Sequence, residues 1–274
     1  MKPVIFGLSG TALTVDERAF FRDADPLGYI LFKRNCETRA QMLALTDSLR
    51  DLSGRADVPI LIDQEGGRVA RMQPPEWPAF PAGPAFDKLY DLAPSSATEA
   101  ARANGHALAL MLAEVGVNVN CAPLLDVRQP ETTPAVGERT FGSDPMQVAA
   151  LGRAMLDGMA RGGVVGVVKH MPGHGRGVVD SHYELPVVKA TDAELERDIG
   201  PFRTLSGAPM GMPCHVVFEA WDAERPATLS PTVIADVIRG RIGFDGLLMS
   251  DDIDMKAVSG TAGGKAAAGM GASC

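Results

Sequence analysis

The stretch Lys169–His182, KHMPGHGRGVVDSH, holds three of the five histidines of the 274-residue chain: His170, His174 and His182. It also carries a lysine and an aspartate, and it follows the apolar run GVVGVV. Titratable groups placed straight after a buried strand point to a site rather than to packing. Asp180 and His182 are two apart. In extended backbone they share a face, so the carboxylate can orient the imidazole and raise its basicity, as a general acid–base requires. A second acidic group, MSDDIDM, ends another apolar run and places Asp251 at a strand end, with Asp252 and Asp254 behind it. The bland alternative for the latter two is a helix start with acids in its first turn. Acidic groups on either side of a sugar are the usual apparatus for cleaving a glycosidic bond. His170 and His174 also allow a metal reading as H-x-x-x-H, with His182 as a third ligand. Pro172 and Gly173 lie between them, however, and break the helix on which that spacing would converge on zinc.

The elements that must position these groups alternate along the chain. Short apolar runs bounded by Gly, Pro or Asp recur at 3–8, 28–32, 58–62, 117–123, 163–168, 209–215 and 246–250. Each has the length of a buried parallel strand. Amphipathic helical stretches lie between them, at 38–52, 97–116, 144–163, 191–205 and 230–243. Thr191 with Glu194 forms a capping-box pattern, and Ser230–Pro231 reads as an N-cap followed by proline at the first helical position. His106 falls inside a helical repeat and reads as a packing residue. Strand–helix alternation predicts an α/β fold with a parallel sheet, and seven strands in one domain over 1–274 favour a TIM-type (β/α)8 barrel. No G-x-G-x-x-G follows the first strand, which argues against a dinucleotide site. The polar groups follow the third, fifth, sixth and seventh strands, where such a barrel builds its active site.

Composition narrows the class. A net charge of −8 gives no support for a nucleic-acid or anionic-membrane partner. Four scattered cysteines without CxxC spacing fit a reducing compartment. The N-terminus lacks a signal-peptide pattern, and no stretch reaches the about 20 apolar residues of a membrane span. The expectation is a cytoplasmic monomer acting on a small molecule.

The segment VVKHMPGHGRGVVDSHYELPVV resembles the signature of family 3 glycoside hydrolases, and is most similar to the bacterial β-N-acetylglucosaminidase branch. GYILFKRNCETRAQMLALTDSLR, LIDQEGGRVARM, VGVNVNCAPLLDV, ERTFGSDP, PATLSP and GFDGLLMSDDIDMKAVSG resemble the same branch in order and spacing. The resemblance covers nearly the whole chain, to about Gly260. It implies a TIM-type barrel and a retaining mechanism through a covalent glycosyl-enzyme. Asp251 is then the nucleophile, and His182 the general acid–base with Asp180 as its partner. Asp63, Arg71, Arg139, Lys169 and His170 are implied to bind the sugar. No cofactor and no metal are implied. The substrate would carry a non-reducing terminal β-linked N-acetylglucosamine, as in muropeptides from peptidoglycan recycling or in chito-oligosaccharides. Met171 stands where the family has Phe, a change of similar bulk. The tail GTAGGKAAAGMGASC departs further. It predicts a barrel lacking the eighth strand and the last helix, with unpaired apolar edges, low stability and weak activity.

Overall fold

The computed structural model describes residues 1–181, 183–255 and 261–272. Seven parallel strands are hydrogen-bonded in sequence order: β1 (Lys2–Gly7), β2 (Pro26–Leu31), β3 (Ile60–Ile62), β4 (Val119–Asn120), β5 (Val165–Met171), β6 (Met210–Pro213) and β7 (Leu247–Leu248). Each of the seven apolar runs yields one of them. A helical segment follows every strand, which is the repeating unit of the (β/α)8 fold. Among the described residues no eighth strand joins this sheet.

The chain divides into two compact units. The first comprises Met1–Pro81, Arg102–Ala122 and Met155–Gly166. It holds β1 to β4 and the start of β5, in parallel register through Ile5↔Gly28, Tyr29↔Ile60, Leu61↔Val119 and Val119↔Val165. Ile60, Leu61 and Ile62 have no exposed surface, as a strand covered on both faces demands. Helix α1 (Val15–Ala24) is opened by a capping box in which Thr14 and Glu17 exchange hydrogen bonds, and α2 (Arg39–Ser53) by the Thr38 side chain. Helix α3 (Gly83–Leu92) belongs to the other unit. Helix α4 (Pro94–Glu114), the short α5 (Pro134–Gly137) and α6 (Pro145–Arg161) follow it. In the first unit α4 and α6 meet backbone to backbone. A Cβ on Gly105 would lie 2.4 Å from the Met155 carbonyl oxygen, and one on Gly158 would lie 2.1 Å from that of Arg102.

The second unit comprises Ala82–Ala101, Pro123–Ala154 and Val167–Cys274. Here β6 is the middle strand, pairing Met210 with Val167 of β5 and with Leu247 of β7. Its helix α7 (Asp192–Thr204) begins with the predicted capping box, Glu194 N–H donating to Thr191 and the Glu194 carboxylate accepting from the Thr191 N–H. Thr191→Ala removes that cap and should cost about 1 kcal/mol of unfolding free energy in urea, with the m-value unchanged.

After β6 comes a helical turn that continues as the π-helix Val233–Ile242, closed by Gly243 at φ 74°. Ser230 Oγ accepts from Val233 N–H at 3.1 Å, so the predicted cap is present. The tail behaves differently from its composition. Thr261 caps a helix, α8 (Ala262–Gly271), by accepting the Gly264 N–H at 3.2 Å, and the alanines that follow carry it.

Candidate active site

In the first unit, β3 ends at Ile62 and Asp63 is the next residue. The chain then turns back as a hairpin of Gln64–Gly66 against Val69–Ala70. Two buried amide side chains take the place of ladder partners. Gln64 Oε1 accepts from the N–H groups of Arg71 and Met72 at 2.9 and 3.0 Å, and its Nε2 donates to the Met72 carbonyl. Asn120, from β4, accepts the Gln64 N–H at 3.0 Å and donates to the Gln64 carbonyl at 2.9 Å. The hairpin is therefore fixed at both ends. It brings Arg71 Nη2 to 2.9 Å from Asp63 Oδ2, with the guanidinium 6.0 Å from the Phe32 ring centre. Arg71 Nε is buried without a hydrogen-bond partner. Two of the expected sugar-binding residues thus form one half-buried ion pair.

In the second unit, β5, β6 and β7 run parallel, so their C-terminal ends lie at one edge. That edge gathers Lys169 and His170 from β5, His215 just beyond β6, and Asp251 just beyond β7. Lys169, His170 and His215 are buried. Burial pushes the Asp251 carboxyl up. The charges of His170, His215 and Lys169, with the Asp252 N–H at 2.8 Å, outweigh it and hold the group below the ordinary carboxylate value. His215 is pinned at both nitrogens, Nδ1 at 3.0 Å from Thr228 Oγ1 and Nε2 at 3.0 Å from the Asp252 carbonyl oxygen, so it steadies the turn that carries Asp251. Asp252 caps the same turn by accepting the Asp254 N–H at 2.9 Å, and the described residues 251–255 are not helical.

One residue at this edge escaped the sequence reading. Asp126 follows β4, has no exposed surface, and places Oδ2 2.7 Å from His170 Nδ1. Its Oδ1 accepts the N–H groups of His174 at 2.6 Å and of His170 at 3.3 Å. Burial raises its carboxyl, but the His170 charge and hydrogen bond, aided by His174, bring it below the ordinary value. The one signal in the sequence is an acid closing the apolar run CAPLLDV.

His174 is buried with Nδ1 unpartnered, and burial, aided by the His170 charge, pushes its pKa down to about 4. The unfolded chain therefore takes up this proton first as pH falls. The linked stability is complete above about 6.5 and is lost as pH drops towards 4, by roughly 3 kcal/mol for a fully buried ring. Urea unfolding of His174→Asn should show a flatter stability profile across that window than the parent chain. An equally steep profile would remove His174 from the acid response.

The His170 and His174 rings sit edge to face, 5.8 Å between centres, on a segment that is strand and turn rather than helix. Among the described residues no three His, Cys, Asp or Glu side chains are grouped to hold a metal ion. His182, the third ligand of the metal reading and the expected acid–base, lies outside the described residues. Asp180 is described. Its carbonyl accepts from Tyr183 and Glu184 N–H at 3.0 and 3.1 Å. The segment before it is tied down. Thr133 N–H donates to the Gly177 carbonyl at 2.9 Å, Thr132 Oγ1 donates to that of Gly175, and Arg176 pairs with buried Asp198. Arg139 is half-buried just past α5, donating Nη1 to the Ala135 carbonyl at 3.1 Å.

Residues 14–272 match the glycosyl hydrolase family 3 N-terminal domain. The chain is similar to the beta-hexosaminidase of Bordetella avium, 36% identical over 277 residues that cover 99% of this chain and 78% of the relative. It is 38% identical to that of Aromatoleum aromaticum over 279 residues, covering 99% and 77%. A crystal structure of NagZ from Neisseria gonorrhoeae in complex with N-trifluoroacetyl-D-glucosamine superposes with a TM-score of 0.92 at 33% identity, over 99% of this chain and 79% of that one. No helix among the described residues is long and apolar enough to cross a membrane. With parallel strands in sequence order, acids and imidazoles at their ends, and relatives aligned along almost its whole length, the chain belongs to glycosyl hydrolase family 3 through that family's N-terminal domain, and is a glycosidase.

Proposed function

We propose that the chain is a retaining β-N-acetylglucosaminidase that releases non-reducing terminal β-linked N-acetylglucosamine through a covalent glycosyl-enzyme. The observation that carries the reading is Asp251, a carboxylate at a strand end kept ionised by buried His170, His215 and Lys169. The beta-hexosaminidase relatives and the N-trifluoroacetyl-D-glucosamine complex of NagZ support an N-acylated amino sugar as substrate. Asp251 attacks the anomeric carbon as the bond to the aglycone oxygen breaks, and His182, partnered by Asp180, gives that oxygen its proton. Water then attacks the same carbon, its proton passes to His182, and Asp251 leaves as a carboxylate. Asp63, Arg71, Arg139, Lys169 and His170 bind the sugar hydroxyls and acyl group. In this reading the substrates are muropeptide fragments arising in peptidoglycan recycling.

The test is turnover of an aryl β-N-acetylglucosaminide beside the matching glucoside, with and without a strong chelator. The expected result is hydrolysis of the amino sugar, undiminished by chelation, because the two-step route needs only side-chain groups. Hydrolysis of the glucoside alone, or loss of activity on chelation, would sink the reading.

A further inference from the structure

The buried carboxylate of Asp126 is too deep to touch a sugar, yet it lies against a residue assigned to bind one. Its position follows from the chain just before it. Lys169 N–H donates to the Pro123 carbonyl at 3.2 Å and Leu125 N–H donates to the Lys169 carbonyl at 2.7 Å, so this segment is zipped along β5 and delivers Asp126 beside His170. The hydrogen-bond inventory then fixes protons. Backbone N–H groups only donate, so Oδ1 accepts twice, and the buried carboxylate stays ionised, so Oδ2 accepts as well. His170 Nδ1, 2.7 Å from Oδ2, must therefore carry a proton.

We propose that Asp126 is a positioning residue for glycoside cleavage: it locks the His170 ring with Nδ1 protonated, so that Nε2 is the atom offered to the sugar, and it holds in place the ring that faces Asp251. This rests on the reading of His170 as a sugar-contacting residue. The charged groups around His170 come from four elements: Asp126 after β4, Lys169 on β5, His174 beyond β5 and Asp251 beyond β7. Those acting on Asp251 are His170, Lys169 and His215. Asp126 is thus the anion at the far end of an acid–imidazole–acid row. Asn in its place has one oxygen for three donors. If that oxygen keeps the backbone N–H groups, its NH2 faces the ring and forces the opposite tautomer.

The first measurement uses the unaltered chain. In 15N-histidine NMR, with His170 assigned by its loss in His170→Gln, Nδ1 should be protonated at every pH where the chain is folded. An Nε2–H tautomer with bare Nδ1 would overturn the proposal, whether or not the chain hydrolyses amino sugars, so this arm is independent of the proposed activity. The second measurement is kinetic. Asp126→Asn should lower kcat/KM on an aryl β-N-acetylglucosaminide by about 10²-fold, the cost of a reacting group displaced by about 1 Å. The acid limb of its pH profile should move up, because the His170 ring that helps hold Asp251 low is no longer fixed in place. Combined with His170→Gln, it should cost no more than His170→Gln alone. Additive losses, or a loss with an unmoved acid limb, would mark Asp126 as merely structural. If Asp126→Asn does not fold, the NMR result on the unaltered chain decides.

Discussion

Asp251→Asn should leave sugar binding within a few-fold of the parent chain and lower kcat by roughly 10⁴–10⁶-fold, the scale seen when a nucleophile is removed. The amide matches the carboxylate in shape, so the turn held by His215 should persist. What it lacks is the charge and lone-pair basicity to attack the anomeric carbon. The acid limb of kcat/KM in the parent should lie below the ordinary carboxylate value, because the surrounding cations hold Asp251 low. As pH falls through that depressed pKa, Asp251 takes a proton and attack stops. A 2-fluoro amino-sugar inactivator should leave its mass on the peptide containing Asp251. A label on Asp252 or Asp254 would move the nucleophile and undo the assignment.

His182→Ala should lower kcat/KM by about 10²–10⁴-fold on substrates with poor leaving groups, the usual share of general acid–base catalysis. On aryl glycosides whose phenol leaves without a proton, the loss in the first step should nearly vanish. Asp180→Asn should follow the same trend at smaller size, since it removes the group that orients the ring. Leaving-group pKa is the variable to scan. A slope unchanged between the parent and His182→Ala would show that His182 is not the acid.

The strands were legible because each is a short apolar run stopped by Gly, Pro or Asp, a pattern set by burial on both faces of a parallel sheet. Lys169, His170 and Asp251 were legible for the same reason: titratable groups directly after such runs stand out. Helix α1 was readable and was passed over. Thr14 and Glu17 are a T-x-x-E box, but the aromatic pair Phe20–Phe21 interrupts the helical periodicity that would have drawn attention to it. Asp126 could not be picked out from its neighbours, because its partner His170 is 44 residues away and only the pairing of chain segments brings them together. The pairing of Asp180 with His182 rests on a histidine outside the described residues. The tail at Ala262–Gly271 forms a helix despite its glycines, since a threonine cap and an alanine run suffice locally.

The contact between α4 and α6 bears on how this sequence can change over time. The atoms that a methyl on Gly105 or Gly158 would strike are main-chain atoms, Met155 O and Arg102 O. Most steric conflicts in a core can be relieved by trimming the neighbouring side chain, which opens a compensatory route through sequence space. Here nothing can be trimmed, because every residue type carries that carbonyl. Neither glycine therefore has a suppressor position. In a saturation library both sites should tolerate only glycine whatever the background sequence, and correlated substitution between the two helices should be missing at the point where they are closest.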